Sequence, residues 1–467
     1  MPTVAHLSDH RLLAAQALTP DGWQEDVLVT LRDGRIAELR AGVGAEDPAA
    51  RGAERLGILL PAPANLHSHA FQRAMAGMSE RRGAEALDTF WTWRQIMYRF
   101  LDILSPDDIE AIAAFVQMEM LEAGYATNVE FHYVHHQPDG TPYAALGELS
   151  ERIVAAASQT GVGLTLLPVL YSQGGCDGRA LGPGQIRFGN DIDRFVDLHA
   201  AASRAVARLT GDCTIGAAPH SLRAVRREDI APCIELAAGR PLHMHLAEQV
   251  KEVEEVQVAY GLRPVEWLLA HHEVTPDWCL IHCTQMTGDE TRRLAATGAV
   301  AGLCPITESS LGDGIFNGVD YLAADGRLGI GSDSNIRISL SEELRTLEYS
   351  QRLRDRCRAT VATPDRSTGR VLYDAVLAGG AQAAGRASGA LAPGLWADLL
   401  ALDASALDLE GCKGDACLDT WIFAGDDRMV SDVWSAGRHL VKQGRHVDAD
   451  GIRARYRATM KGLRQRF

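Results

Sequence analysis

Two histidines stand two apart in the stretch PAPANLHSHAFQRAMAG, at His67 and His69. Residues i and i+2 of a β-strand face the same side, so a His-x-His pair closing a strand can grip one cation. Imidazole nitrogen suits zinc or another borderline divalent metal, and a carboxylate can complete the shell. Further β-prone runs end in the same kind of residue: Pro219-His220-Ser221, then His243 and His245 followed by Glu248, then His282, then Ser332-Asp333-Ser334. His245 and Asp333 are the natural third and fourth protein ligands, with a water in the remaining position. Each element also has a plainer reading. An isolated His-x-His is a weak signal, and Asp333 alone could cap a helix. His243 reads as a packed or supporting histidine, and His135-His136 and His271-His272 as solvated loop or helix-end residues. A histidine or aspartate at five strand ends is what coincidence explains poorly.

Such residues need strands that bring them to one place. Short β-prone runs recur through the middle of the chain: GILLPA, NVEFHYV, GLTLLPVLY, CTIGAAPH, PLHMHLAE, WCLIHCT, VAGLCPI and RLGIGSDS. Helix-like segments such as PDDIEAIAAFVQMEMLEAG lie between most of them. Alternating strand and helix implies a parallel sheet. Eight runs point to an α/β fold of the (β/α)8, TIM-like barrel type, in which active groups sit at the C-terminal ends of the strands. An open doubly wound sheet is the alternative. Both chain ends are β-rich instead. DVLVTLRDGRIAEL reads as a hairpin around Asp33-Gly34, LWADLLALD as a strand, and VSDVWSAGRHLVKQGRHV as strand, glycine turn, strand. The expected division is a small β-sandwich domain built from residues 1–58 and 386–467, the latter with a terminal helix, around a catalytic barrel at 59–385.

Bulk properties narrow the class. A chain of 467 residues with 46% hydrophobic and 23% charged residues is ordinary for a folded globular protein. No window reads as a membrane span, and MPTVAHLSDHRLLAAQ does not read as a secretory signal. The nine scattered cysteines fit reduced thiols in the cytoplasm, and Cys412 and Cys417 have the wrong spacing for a zinc knuckle. A net charge of −15 disfavours nucleic acid and anionic membranes as partners, and an acidic substrate needs local arginines. Lysine occurs only at positions 251, 413, 442 and 461.

NLHSHAFQRAMAG, APHSLRAV, HMHLAEQ, LIHCT and GIGSDSN together make the chain resemble the amidohydrolase superfamily of metal-dependent hydrolases, and within it the formimidoylglutamate deiminase family. The resemblance runs over nearly the whole chain. It implies that His67, His69, His245 and Asp333 hold one divalent metal ion, with zinc expected. Family members with two metals usually bridge them through a modified lysine of the barrel. No lysine precedes Lys251, which agrees with one metal.

The implied reaction is hydrolysis of the small molecule N-formimino-L-glutamate to N-formyl-L-glutamate and ammonia, a step of histidine breakdown. Metal-activated water attacks the formimino carbon, Glu248 shuttles the proton to the departing nitrogen, His282 polarises the water or steadies the intermediate, and Asp333 acts as ligand and proton acceptor. The resemblance points to Arg94 and Arg223 for the two substrate carboxylates, since the guanidinium fork pairs with carboxylate at two points. Gln72, Tyr133 and His220 look like accompanying hydrogen-bond donors. The aromatic segment DTFWTWRQIMYRF could form a lid, or Arg94 could be a solvated residue on a packed helix. The family further implies a homodimer. Rival readings are a deaminase of a nucleobase or related ring, which has no use for paired arginines, and a non-catalytic barrel, in which gaps among these residues would be expected.

Overall fold

The computed structural model describes residues 10–80 and 88–467. Eight parallel strand positions form the centre: Ala64–Ser68, Thr127–His132, Gly163–Leu170, a fourth broken into Thr214–Ile215 and Ala218–Pro219, then Leu242–Leu246, Trp278–His282, Val300–Leu303 and Arg327–Ile330. They pair in two ladders, of the first four and the last four. Single bridges join the ladders. Ala217 with Leu242 and Ser221 with His245 link the fourth strand to the fifth, and Ser68 with Asp333 links the first to the eighth. The sheet is therefore closed, and the open doubly wound alternative falls.

The barrel strands are buried on both faces, as the near-continuous apolar runs require. Between them run amphipathic helices with legible start signals. Pro106–Glu122 begins with a reciprocal cap: the Ser105 hydroxyl accepts from the Asp108 amide, and the Asp108 carboxylate accepts from the Ser105 amide, with proline at the first helical position.

One expected strand lies elsewhere. GILLPA belongs to the strand Glu54–Pro61, which pairs with His10–Thr19 and Leu399–Leu402 outside the barrel. The first barrel strand is the following run, Ala64–Ser68. Two apolar strands stand back to back here, and Pro61 and Pro63 mark the exchange, because proline cannot donate to a ladder.

The outer sheet has eight strands in the order Arg445–His446, Arg438–Lys442, Val430–Ser435, Leu399–Leu402, Glu54–Pro61, His10–Thr19, Gly22–Arg32 and Arg35–Arg40. Three of its turns, at Asp33-Gly34, Ala436-Gly437 and Gln443-Gly444, are of the two-residue type that needs left-handed backbone at both positions. Asp33 and Gly34 have φ of 50° and 76°, Ala436 and Gly437 of 44° and 73°. The sheet curls until the Gly394 amide donates to the Ile36 carbonyl and the Ala397 amide to the Gly34 carbonyl, at 2.8 and 2.9 Å. Its inner face encloses Leu12, Val29, Leu59, Leu399 and Trp434 in the manner of a sandwich.

Two sets of ion pairs fasten the parts together. Arg386 is buried between Asp398 and Asp212, at 2.6 and 2.9 Å, and Arg438 of the outer sheet reaches the same Asp212 carboxylate at 2.7 Å. The terminal helix Ala449–Arg466 lies on the barrel helix Pro106–Glu122 through Arg453–Glu122, Arg455–Glu110 and Arg466–Asp108. No helix among the described residues is long and apolar enough to cross a membrane. All nine cysteines are unpaired.

Candidate active site

The seam between the first and eighth barrel strands has one bridge, and side chains do the rest of the joining. Asn65 donates to the Ser332 hydroxyl at 2.7 Å and accepts from the Ser332 amide at 3.1 Å. Asn335 donates to the Ser68 hydroxyl at 3.1 Å. The Asp333 amide donates to the His67 carbonyl, and the His69 amide to the Asp333 carbonyl, each at 2.9 Å. Gly331 lets the strands approach this closely, since a Cβ there would sit 2.6 Å from the His67 nitrogen. NLHSH and GSDSN are thus two halves of one polar lock.

At this lock His67, His69, His245 and Asp333, all buried, bring one ligand atom each to within 4.8 Å of one another. His67 Nε2 is 3.1 Å from His245 Nε2 and 3.5 Å from Asp333 Oδ1, and His69 Nε2 is 3.2 Å from the same oxygen. The other ring nitrogens decide what faces the centre. His69 Nδ1 donates to the Phe131 carbonyl at 3.0 Å, and His245 Nδ1 to the His220 carbonyl at 3.1 Å. Each Nε2 therefore presents a lone pair inward. Burial drives all three imidazoles toward the neutral form, His67 down to about 3. Burial pushes the Asp333 carboxyl up, but the His67 hydrogen bond and the charge of His282 outweigh it and hold the group below the usual carboxylate range. Lone pairs of neutral imidazoles and an ionised carboxylate converging on one point fit a metal cation, and the set of three nitrogens and one oxygen matches a metal that accepts both.

His282 ends the sixth strand beside this cluster. Its Nε2 lies 3.8 Å from both Glu248 Oε1 and Asp333 Oδ2, and its Nδ1 is 3.2 Å from Glu308 Oε1. Burial would discharge the ring, yet Glu248, Glu308 and Asp333 together push its pKa up to about 10. Burial raises Glu248 above the normal carboxylate range, against the pull of His282 and Arg223. Glu252 fixes Glu248 in place, its carboxylate accepting from the Ala247 and Glu248 amides at 3.1 Å each. The backbone here is strained: Ala247, His282 and Asp333 have φ of 52°, 73° and 47°. Non-glycine residues in that region cost about 1–3 kcal/mol each and gather where a site demands them.

Above the cluster opens a cleft. Of the residues expected from the sequence, Gln72, Arg94, Tyr133, His220, Arg223, Glu248, His282, His69, His245 and Asp333 all line it, while His67 lies beneath, fully buried. Gln72 donates to the Tyr133 hydroxyl at 2.8 Å. His220 packs on the rings of His245 and Tyr171, with centroids 4.8 and 4.7 Å away. Arg223 donates from Nη2 to Glu248 at 3.1 Å, and its buried Nε has no hydrogen-bond partner. Arg94 donates to the Tyr98 hydroxyl. Arg94 belongs to the helix Phe90–Leu101, which starts at a Thr89 cap and sets Phe90, Trp93 and Met97 on the cleft wall. Lys251 lies 4.5 Å from the Trp91 ring centroid, a cation–π contact from the opposite rim.

One expectation about the histidines needs amendment. His135 and His136 are buried rather than solvated: His135 Nε2 meets the Val169 carbonyl at 2.9 Å, and His136 Nε2 meets Gly189 and Asn190 at 3.0 Å, because the loop after the third strand folds over them. His243 is a packed histidine, held by the Ala383 carbonyl at 2.8 Å. Sequence reasoning missed Glu252, Glu308, Tyr98 and Tyr171. Tyr98 stands at i+4 from Arg94 on one helix, a legible spacing. Glu308 has no local signal, since its partner lies 26 residues away.

Comparison with known proteins agrees with this geometry. Residues 58–440 match the model described as "Amidohydrolase family", and residues 10–56 match "Formimidoylglutamate deiminase HutF, N-terminal domain". A formimidoylglutamate deiminase of Pseudomonas aeruginosa is 51% identical over 93% of this chain and 95% of its own. An 8-oxoguanine deaminase of the same organism is 28% identical over 93% and 94%. The crystal structure of an amidohydrolase from Brucella melitensis superposes with a TM-score of 0.93 at 46% identity, covering 97% of this chain and 99% of that one.

Proposed function

The chain belongs to the amidohydrolase family, and within it to the formimidoylglutamate deiminases, and from that membership we propose that it hydrolyses N-formimino-L-glutamate to N-formyl-L-glutamate and ammonia in histidine breakdown. The observation that carries this reading is the 51% identity to the Pseudomonas aeruginosa enzyme across almost the full length of both chains. His67, His69, His245 and Asp333 would hold one divalent metal, and their donor set favours zinc. Such a metal, when bound, supplies Lewis acidity that brings the pKa of water down to about 7.

The chain's own residues account for the remaining steps. Water adds to the formimino carbon, and Glu248 takes the water's proton. The raised pKa of Glu248 suits a group that must accept a proton and give it back. It passes the proton to the nitrogen. As the carbon–nitrogen bond breaks, Asp333 takes the second proton from the added hydroxyl, which becomes the formyl carbonyl, and that proton completes the departing ammonia while the formyl group stays on glutamate. His282 keeps both ring protons, one toward Glu308 and one toward Glu248 and Asp333, so it opposes negative charge developing on the attacking oxygen. Arg94 and Arg223 bind the two substrate carboxylates. Arg223 is held beside the proton shuttle by Glu248 at 3.1 Å and Glu252 at 3.6 Å, which aims its guanidinium at the cleft. Gln72, Tyr133 and neutral His220 complete the wall. We place the enzyme in the cytoplasm as a homodimer, which sedimentation of the purified protein would check.

The deciding assay compares ammonia release from N-formimino-L-glutamate, guanine and cytosine by the metal-loaded protein. Turnover of the formimino compound alone is expected. Turnover of a ring substrate in its place would move the chain to the nucleobase deaminases.

A further inference from the structure

The terminal helix Ala449–Arg466 carries cations on both sides of its buried stripe, and on the side of Arg453, Arg457, Lys461 and Arg464 only Arg453 is neutralised. Arg453, Arg455 and Arg466 pair with Glu122, Glu110 and Asp108 of the barrel. Arg457, Lys461 and Arg464 follow the i, i+4, i+7 spacing of a single helix face, are exposed, and make no hydrogen bond or ion pair with any described residue. They border an open surface cleft that Arg73 and Arg453 also line. Its floor is the Phe115–Tyr456 pair, stacked with centroids 3.8 Å apart and planes 7° from parallel. In a chain of net charge −15, self-repulsion does not explain this concentration of positive charge: scattered cations would relieve the acidic surface better. The inner end of the cleft is Arg73, which is bound to Glu119 at 2.6 Å and to the Ile336 carbonyl at 3.3 Å and stands next to Gln72 of the active cleft.

We infer that this cleft is a second binding site, for a small polyanion carrying two or more carboxylate or phosphate groups. The free cations extend over roughly 10 Å of helix, so separated anionic groups fit them better than one compact ion does. The aromatic floor gives such a molecule's carbon frame a surface to lie on. This inference stands apart from the proposed reaction, because binding is read as heat and not as turnover.

The test is isothermal titration calorimetry of the full-length, metal-loaded protein at low salt. The probes are tricarballylate for carboxylates, fructose 1,6-bisphosphate for phosphates, and inorganic phosphate as the compact control. One of the first two is expected to bind at a single site, more tightly than inorganic phosphate. The double variant Arg457→Ala/Arg464→Ala should weaken it at least about tenfold, as loss of hydrogen bonds to charged groups implies. The variant Arg292→Ala/Arg293→Ala, which removes the same charge from a separate exposed helix, should leave the affinity unchanged. Circular dichroism would verify that both variants fold. Absence of binding by either polyanion overturns the inference, as does equal weakening by both variants. So does dissociation of a dimer by Arg457→Ala/Arg464→Ala in sedimentation, which would make this face a contact between copies.

Discussion

His69 and His245 each donate one ring proton to a backbone carbonyl, and that choice of tautomer aims the other nitrogen at the cation position. His245→Ala or Asp333→Asn is accordingly expected to lower bound metal per chain, read by elemental analysis, and to cut ammonia release at least about 100-fold. Glu248→Gln separates chemistry from metal binding: kcat should fall about 10²–10⁴-fold with metal content unchanged. An equal loss of metal would show Glu248 to be structural. Glu308→Gln should cost about 10–100-fold by freeing His282 from its anchor. The cluster was legible because a period of two puts His67 and His69 on one strand face. Glu308 and Glu252 were not, because their worth lies in partners that only the fold supplies.

Elements decide where these side chains stand. The seam of the barrel depends on Gly331, where an added methyl group meets the His67 backbone. Gly331→Ala should destabilise the protein by about 1–3 kcal/mol, as overpacking does. It should also reduce bound metal, because the strand it displaces carries His67 and His69; chemical denaturation and elemental analysis would report the two effects. The helix Phe90–Leu101 holds Arg94 by its Tyr98 contact, so Arg94→Ala should raise KM about tenfold or more and change kcat less. The hairpin at Asp33-Gly34 and the alternation of strand and helix were readable from residue types. The exchange of sheets at Pro61–Pro63 was not, since GILLPA and ANLHS are equally apolar and only their partners tell them apart.

At the scale of the molecule, Arg386 between Asp212 and Asp398 is the buried fastening of barrel to outer sheet. Arg386→Met leaves Asp398 without its cation and Asp212 with Arg438 alone, and should cost about 3–5 kcal/mol in urea unfolding. Burial pushes the Asp212 carboxyl up, but Arg438 and Arg386 outweigh it and hold the group below the usual range. A carboxyl depressed on folding stabilises above its ordinary pKa and loses that contribution as pH falls toward the folded value. The gap between wild type and variant should therefore narrow as pH drops below about 4. Both β-rich ends and their merger into one small domain were legible, because neither end shares the strand–helix alternation of the middle. The order in which their strands pair was not, because strand pairing over such separations leaves no local trace. That merger dictates a timetable for synthesis. Glu54–Pro61 leaves the ribosome with one edge bare, and the strand that will cover it, Leu399–Leu402, follows only after the whole barrel has been made, roughly tens of seconds later. For that interval the nascent chain carries an open, apolar template for aggregation.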